Sequence, residues 1–111
     1  MSSNFEILIR AMNLLDGPGT IKQRLASAYR EELQYVGPEG MDEAMVDILE
    51  TINDELTRID AEGDKDSIDM SAENLTDYEA QELVGLVKIL YHYLGKHHLV
   101  RIHGAPRKSL H

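Results

Sequence analysis

Residues 41–60, MDEAMVDILETINDELTRID, decide the fold. Met45, Ile48, Leu49, Ile52, Leu56 and Ile59 recur at helical spacing, and an advance of about 100° per residue gathers them on one face. The same rotation places Glu43, Asp47, Glu50 and Asp54 in a narrow stripe on the opposite face. The stretch therefore predicts an amphipathic helix over about 41–61, with an apolar flank that needs neighbouring helices to cover it. The carboxylate flank faces either water or a partner.

Working outward, three further helix starts are written in capping-box spacing. Ser3 precedes Glu6, Thr20 precedes Gln23 and Thr76 precedes Glu79; in each pair the hydroxyl and the later side chain satisfy backbone N–H groups orphaned at a helix start. Gly17-Pro18, Gly37-Pro38 and Gly95 stand where those helices are expected to stop. The resulting helices cover 4–15, 21–36, 41–61 and 77–94. Phe5, Leu8, Ile9, Met12 and Leu15, widened by Ile7 and Leu14, form the face of the first; Ile21, Leu25, Ala28, Tyr29, Leu33 and Val36 form that of the second. In the last, Tyr78, Leu83, Val84, Leu86, Val87, Ile89, Leu90, Tyr91 and Leu94 cover most of the circumference, which predicts a helix surrounded at the bundle centre or covered at an oligomer interface.

The expected architecture is all-α: a compact bundle of about four helices over 1–95, an acidic loop before the last helix, and a basic tail over 96–111 that is docked or flexible. Short links after the first and second helices favour antiparallel neighbours. The polar stretch EGDKDSIDMSAENL (62–75) reads as the one real loop. Within it Ser67-Ile68-Asp69-Met70 is a candidate extended segment, and Leu99-Val100-Arg101-Ile102-His103 alternates as a strand does.

With 111 residues, 42% of them hydrophobic, the chain is sized for one core. The net charge of -9 is unevenly placed. Residues 39–82 hold sixteen Asp and Glu against Arg58 and Lys65, whereas 96–111 hold Lys96, Arg101, Arg107 and Lys108 and no acid. Such a field repels nucleic acid and anionic membrane and attracts basic partners. Absence of cysteine rules out thiolate chemistry and Cys-ligated zinc. The opening MSSNFEILIR has too short an apolar run for a signal peptide, and no stretch reaches the length of a membrane span; a cytoplasmic protein is the expectation.

Asp60, Glu62, Asp64 and Asp66 alternate in the loop, but a calcium loop starting at Asp60 would put Lys65 at its glycine and Ser71 at its closing Glu. His92, His97, His98 and His103 lack the three- or four-residue spacing of a helical zinc pair around His92. Gly17-Pro18-Gly19-Thr20-Ile21-Lys22 lacks the ending of a phosphate loop, and Lys22 with Arg24 reads as a solvated face. The serines at 2, 3, 27, 67, 71 and 109 have no marked base. Neither catalytic residues nor metal ligands nor a cofactor site are marked; Tyr91, His92 and Glu82 are the members of the last helix that a pocket would recruit.

The block Leu14-Leu15-Asp16-Gly17-Pro18-Gly19-Thr20-Ile21-Lys22-Gln23-Arg24-Leu25 with Ala28-Tyr29, and the later Leu75-Thr76-x-x-Glu79-Ala80 with Val87-x-Ile89-Leu90-Tyr91-x-x-Leu94, resemble segments of a family of small bacterial helical proteins. The resemblance implies a bacterial cytoplasmic origin and brings no function; Asp69-Met70-Ser71-Ala72-Glu73-Asn74 departs from the basic approach to the last helix expected of that family.

The leading expectation is a non-enzymatic regulator, inhibitor or adaptor whose face of Glu43, Asp47, Glu50 and Asp54 meets a basic surface on another protein. A solvated face is the plainer account of the same residues. A homodimer through the last helix, a carboxylate mimic of nucleic-acid phosphates and a small enzyme are the alternatives; direct nucleic-acid and membrane binding are not expected.

Overall fold

The computed structural model describes residues 3–103, with side chains described to residue 97. Its fold is all-α. In chain order the helices are α1 (Asn4–Leu15), α2 (Ile21–Glu31), α3 (Glu43–Thr57), α4 (Ser67–Glu73) and α5 (Asp77–His103), with a 3-10 turn at Leu33–Tyr35 after α2. Among the described residues no helix is long and apolar enough to cross a membrane.

Local chemistry sets the starts of these elements. All three capping boxes form: Ser3 with Glu6 and Thr20 with Gln23 open α1 and α2, and Thr76 with Glu79 exchange backbone-to-side-chain bonds of 2.8 and 3.0 Å at the head of α5. Asp42 and Asp66 perform the corresponding task for α3 and α4, each accepting from the N–H three residues on. In the α1–α2 link the left-handed backbone falls on Gly19, with φ 104°, and not on Gly17. Arg24 completes that link, donating to the Leu15 carbonyl at 2.6 Å and the Gly19 carbonyl at 3.1 Å, so it ties down a helix end instead of decorating a solvated face.

The core runs through all five helices. Leu8, Ala11 and Leu15 of α1, Leu25, Ala28 and Tyr29 of α2, and Leu49, Ile52 and Leu56 of α3 are buried together with Ala80, Leu83, Val87, Leu90 and Leu94 of α5. Ile9, expected on the α1 core face, is instead 39% exposed because the buried arc is centred on Leu8 and Ala11. Burying side chains of this size stabilises by about 1.5–3 kcal/mol each relative to exposure, before conformational entropy is subtracted.

Several boundaries differ from expectation. Helix α2 stops at Glu31, and Leu33 and Val36 reach the core from a 3-10 turn and the strand-like residue after it. The stretch 62–75 is not one loop, since Ser67-Ile68-Asp69-Met70 is the first half of α4 and not an extended segment. Three tertiary ties explain why so short a helix persists. Arg30 reaches Asp66 at 3.0 Å and Asp69 at 2.7 Å. Ser67 Oγ donates to the Thr57 and Ile59 carbonyls, and the fully buried Ser71 accepts from the Ile59 N–H at 3.0 Å. Backbone groups at and just after the end of α3 are thus satisfied by two α4 hydroxyls.

Helix α5 also departs from expectation. It passes through Gly95 without stopping, and residues 99–103 are its last turns and not a strand. A Cβ at position 95 would sit 3.0 Å from Phe5 Cε1, so glycine here lets α1 approach closely. Nor is α5 surrounded. It packs on α1, α2 and α3 along Ala80, Leu83, Val87, Leu90 and Leu94, while Tyr78 and Ile89 on the far side are 69% and 45% exposed. Gly104 to His111, including Arg107 and Lys108 of the basic tail, lie outside the described residues, as does the side chain of Arg101.

Candidate functional site

Helix α3 carries the carboxylate row into place. Its apolar stripe is fixed by Leu49, Ile52 and Leu56, and its first turn is held by Asp42, whose own N–H donates to the Tyr93 hydroxyl of α5 at 3.3 Å. With that side anchored, Glu43, Asp47, Glu50 and Asp54 are all solvent-exposed. Their positions on an α-helix give a row about 16 Å long at a rise of about 1.5 Å per residue.

The surrounding acids are paired only in part: Asp60, Glu62, Asp64, Glu79 and Glu82 have no ion pair among the described side chains. Arg10 pairs with Glu32 at 3.0 Å, Arg30 with Asp66 and Asp69, and Lys65 with Glu73 at 2.9 Å. Arg58, one turn beyond Asp54, pairs with Glu55 at 3.5 Å. No cation among the described side chains is in ion-pair contact with Glu43, Asp47, Glu50 or Asp54. At the foot of the row the Tyr29 hydroxyl donates to Asn53 Oδ1 at 2.8 Å. Burial pushes the Tyr29 phenol above its ordinary value, and the negative charge of Asp54 adds to the rise.

The acidic loop is a different object from the row. Glu62 and Lys65 exchange backbone bonds of 2.9 and 3.1 Å across a tight turn in which Gly63 has φ 64°. Asp66 is occupied as the α4 cap and as the Arg30 partner. The Asp69 backbone N–H first, and Arg30 second, hold its carboxyl below the ordinary value. Among the described residues no group of His, Cys, Asp and Glu is arranged to hold a metal ion.

Of the residues that a pocket would recruit, Tyr91 and His92 share a groove and Glu82 lies in another. Tyr91 packs edge-on against His92 at a centroid distance of 5.3 Å and stacks on Phe5 at 5.8 Å, in a shallow groove of about 330 Å³ completed by Gly95 and Lys96. Glu82 lines a separate groove of about 190 Å³ with Thr51, Glu55 and Glu79. His97 packs on Tyr93 at 4.3 Å; the side chains of His98 and His103 lie outside the described ones. A third groove, about 250 Å³, lies between α2 and α4 and includes Lys22, Asp69 and Glu73; Lys22 Nζ there contacts the Glu73 carbonyl at 3.4 Å. The serines at 67 and 71 are structural ties, as described above.

Two features of this surface escape reasoning from sequence. The cations that pair with the acids of α4 and its cap come from Arg30, thirty-six residues before Asp66, and from Lys65, eight residues before Glu73. Tyr29 and Asn53 meet from helices twenty-four residues apart. Compared with known proteins, the chain matches no family model, no curated protein and no solved structure.

Proposed function

We propose that this chain is a non-enzymatic binding protein, a regulator, inhibitor or adaptor, which presents the α3 row of Glu43, Asp47, Glu50 and Asp54 to a basic surface on another protein. The observation that carries the reading is alignment: the row is one exposed, unpaired stripe on an anchored helix, whereas Asp60, Glu62 and Asp64, equally without an ion pair among the described side chains, lie outside any helix.

Such an arrangement has the properties of an electrostatic docking face. Exposed carboxylates remain hydrated and rotamerically free until a partner arrives, so their field acts mainly on encounter rate and orientation. The helix beneath them is held by core packing and by the Asp42 cap, which keeps the row straight when a partner binds. Lys or Arg side chains on the partner would complete charge-assisted hydrogen bonds, with Arg favoured for bidentate geometry.

The test is affinity capture from an extract of the cells that make the protein, run with three forms. Wild type is compared with a row-neutralised form (E43Q, D47N, E50Q, D54N) and a loop-neutralised control (D60N, E62Q, D64N). The reading expects a protein bound by wild type and control and lost from the row-neutralised form. Equal capture by all three would refute it.

A further inference from the structure

Helix α5 has a second ordered stripe, on the side away from the core. Buried Ala80, Leu83, Val87, Leu90 and Leu94 define its inner face. Tyr78, Glu82, Gly85, Ile89, His92 and Lys96 follow each other at steps of four and three residues on the opposite side, the spacing of alternating d and a positions in a heptad. All but Gly85 are exposed, and a Cβ built on Gly85 would meet nothing within 4 Å. Over these residues the stripe is about 27 Å long.

We infer that this stripe is a self-association surface, and that its occupant is a second copy of the chain whose α5 runs antiparallel to the first. The argument is complementarity of the stripe with its own reverse. In an antiparallel pair centred on Val87, each a position lies level with a d position of the other helix. Gly85 then faces Ile89 of the second copy, an open notch against an exposed branched side chain. Glu82 faces His92 of the second copy, a carboxylate acceptor against an imidazole N–H donor. Tyr78 faces Lys96 of the second copy, an aromatic face against an ammonium group. By two-fold symmetry every pairing occurs twice.

Charge selects the same direction. The first part of α5 carries Asp77, Glu79 and Glu82, and the later part Lys88 and Lys96. Antiparallel pairing lays each part against its opposite, and the helix dipoles oppose in the favourable sense; parallel pairing in register would set acid on acid. Polar layers at the stripe's two ends fix register at a cost in affinity. One helix pair is a small interface, so the dimer is a weak one. The surface is separate from the α3 row, and the dimer holds whether or not that row binds a partner.

Sedimentation equilibrium from about 1 μM to about 1 mM spans the affinities expected of small interfaces. Wild type should move from 12.5 kDa toward twice that mass. Gly85→Gln fills the notch and should remain a monomer throughout. Glu82→Lys and His92→Glu should each weaken association about tenfold, since the pair occurs twice, and the double variant, which restores the pairing with the charges exchanged, should recover the wild-type constant. A wild-type chain that stays monomeric would overturn the inference and leave the face to solvent or to a different protein. A dimer indifferent to Gly85→Gln, or a double variant no better than either single one, would overturn it as well.

Discussion

Replacing Asp47 by lysine should stabilise the protein, and the size of the gain follows from the row itself. Asp47 has two like-charged neighbours on the same face, Glu43 four residues before and Glu50 three after. Like charges at such spacing cost roughly 0.2–0.5 kcal/mol per pair, so removing both repulsions returns about 0.4–1 kcal/mol. Lysine turns them into attractions of similar size, for a total of roughly 0.8–2 kcal/mol, and fits a helix interior better than aspartate by a few tenths. Position 47 lies beyond the first turn of α3, where the helix dipole has little preference for an acid. The hydrogen bond from Thr51 Oγ1 goes to the Asp47 backbone carbonyl and survives the change. In a domain of this size the gain should raise the melting temperature by at least about 4 °C. Circular-dichroism melts at low salt and at about 1 M salt, where the screening length falls to about 3 Å, separate charge from propensity. The rise should shrink by more than half at high salt. No rise at low salt, or one of equal size in both, would refute the reasoning that the row is under uncompensated repulsion.

Three further outcomes follow from the packing. Ser71→Ala leaves the Ile59 N–H without its partner in a part-buried site and should cost about 1–3 kcal/mol in urea denaturation; Ser71→Thr, which keeps the oxygen, should lose the oxygen-dependent part of that cost, and equal stability of the alanine form would contradict the tie. Gly85→Ala in an open stretch of α5 should gain close to the full helix-propensity difference of about 1 kcal/mol, whereas Gly95→Ala must displace Phe5 at 3.0 Å and should gain less than half as much; equal thermal shifts would deny the close approach of α1 and α5. Asp66 has a carboxyl held below its ordinary value, so it contributes stability above the unfolded-state value that is lost as pH falls through the folded one. Asp66→Asn keeps a capping side chain and removes the titration, and should therefore flatten the decline in stability below about pH 4; an unchanged acid limb would count against the hold of the Asp69 N–H, and of Arg30 after it, on this carboxylate.

Which parts of this molecule are legible in its sequence depends on how far apart the responsible residues lie. Capping boxes act over three residues, and Ser3, Thr20 and Thr76 therefore mark their helices correctly. The α3 stripe is likewise local, and Leu49, Ile52 and Leu56 are buried as the spacing requires. Helix α4 is hidden because seven residues in an acidic stretch are too few to show periodicity, and what holds them comes from Arg30 and from the end of α3. Its one local signal is Asp66 followed by an N–H at Asp69, a cap without an apolar run to announce it. Gly95 misleads for a similar reason: the glycine reads as a stop, but the ring of Phe5, ninety residues earlier, is what requires a small residue there. The carboxylate row is visible from spacing alone, yet part of what anchors the helix beneath it, the Asp42 N–H on the Tyr93 hydroxyl, depends on a residue far along the chain.

The most direct test of the central claim is the association rate of the captured partner, measured by stopped-flow mixing across ionic strength with wild-type protein and with the row-neutralised form. The account predicts a wild-type rate that falls steeply with salt, and a row-neutralised rate at least about tenfold lower at low salt and nearly flat. Equal rates for the two forms, both insensitive to salt, would contradict it.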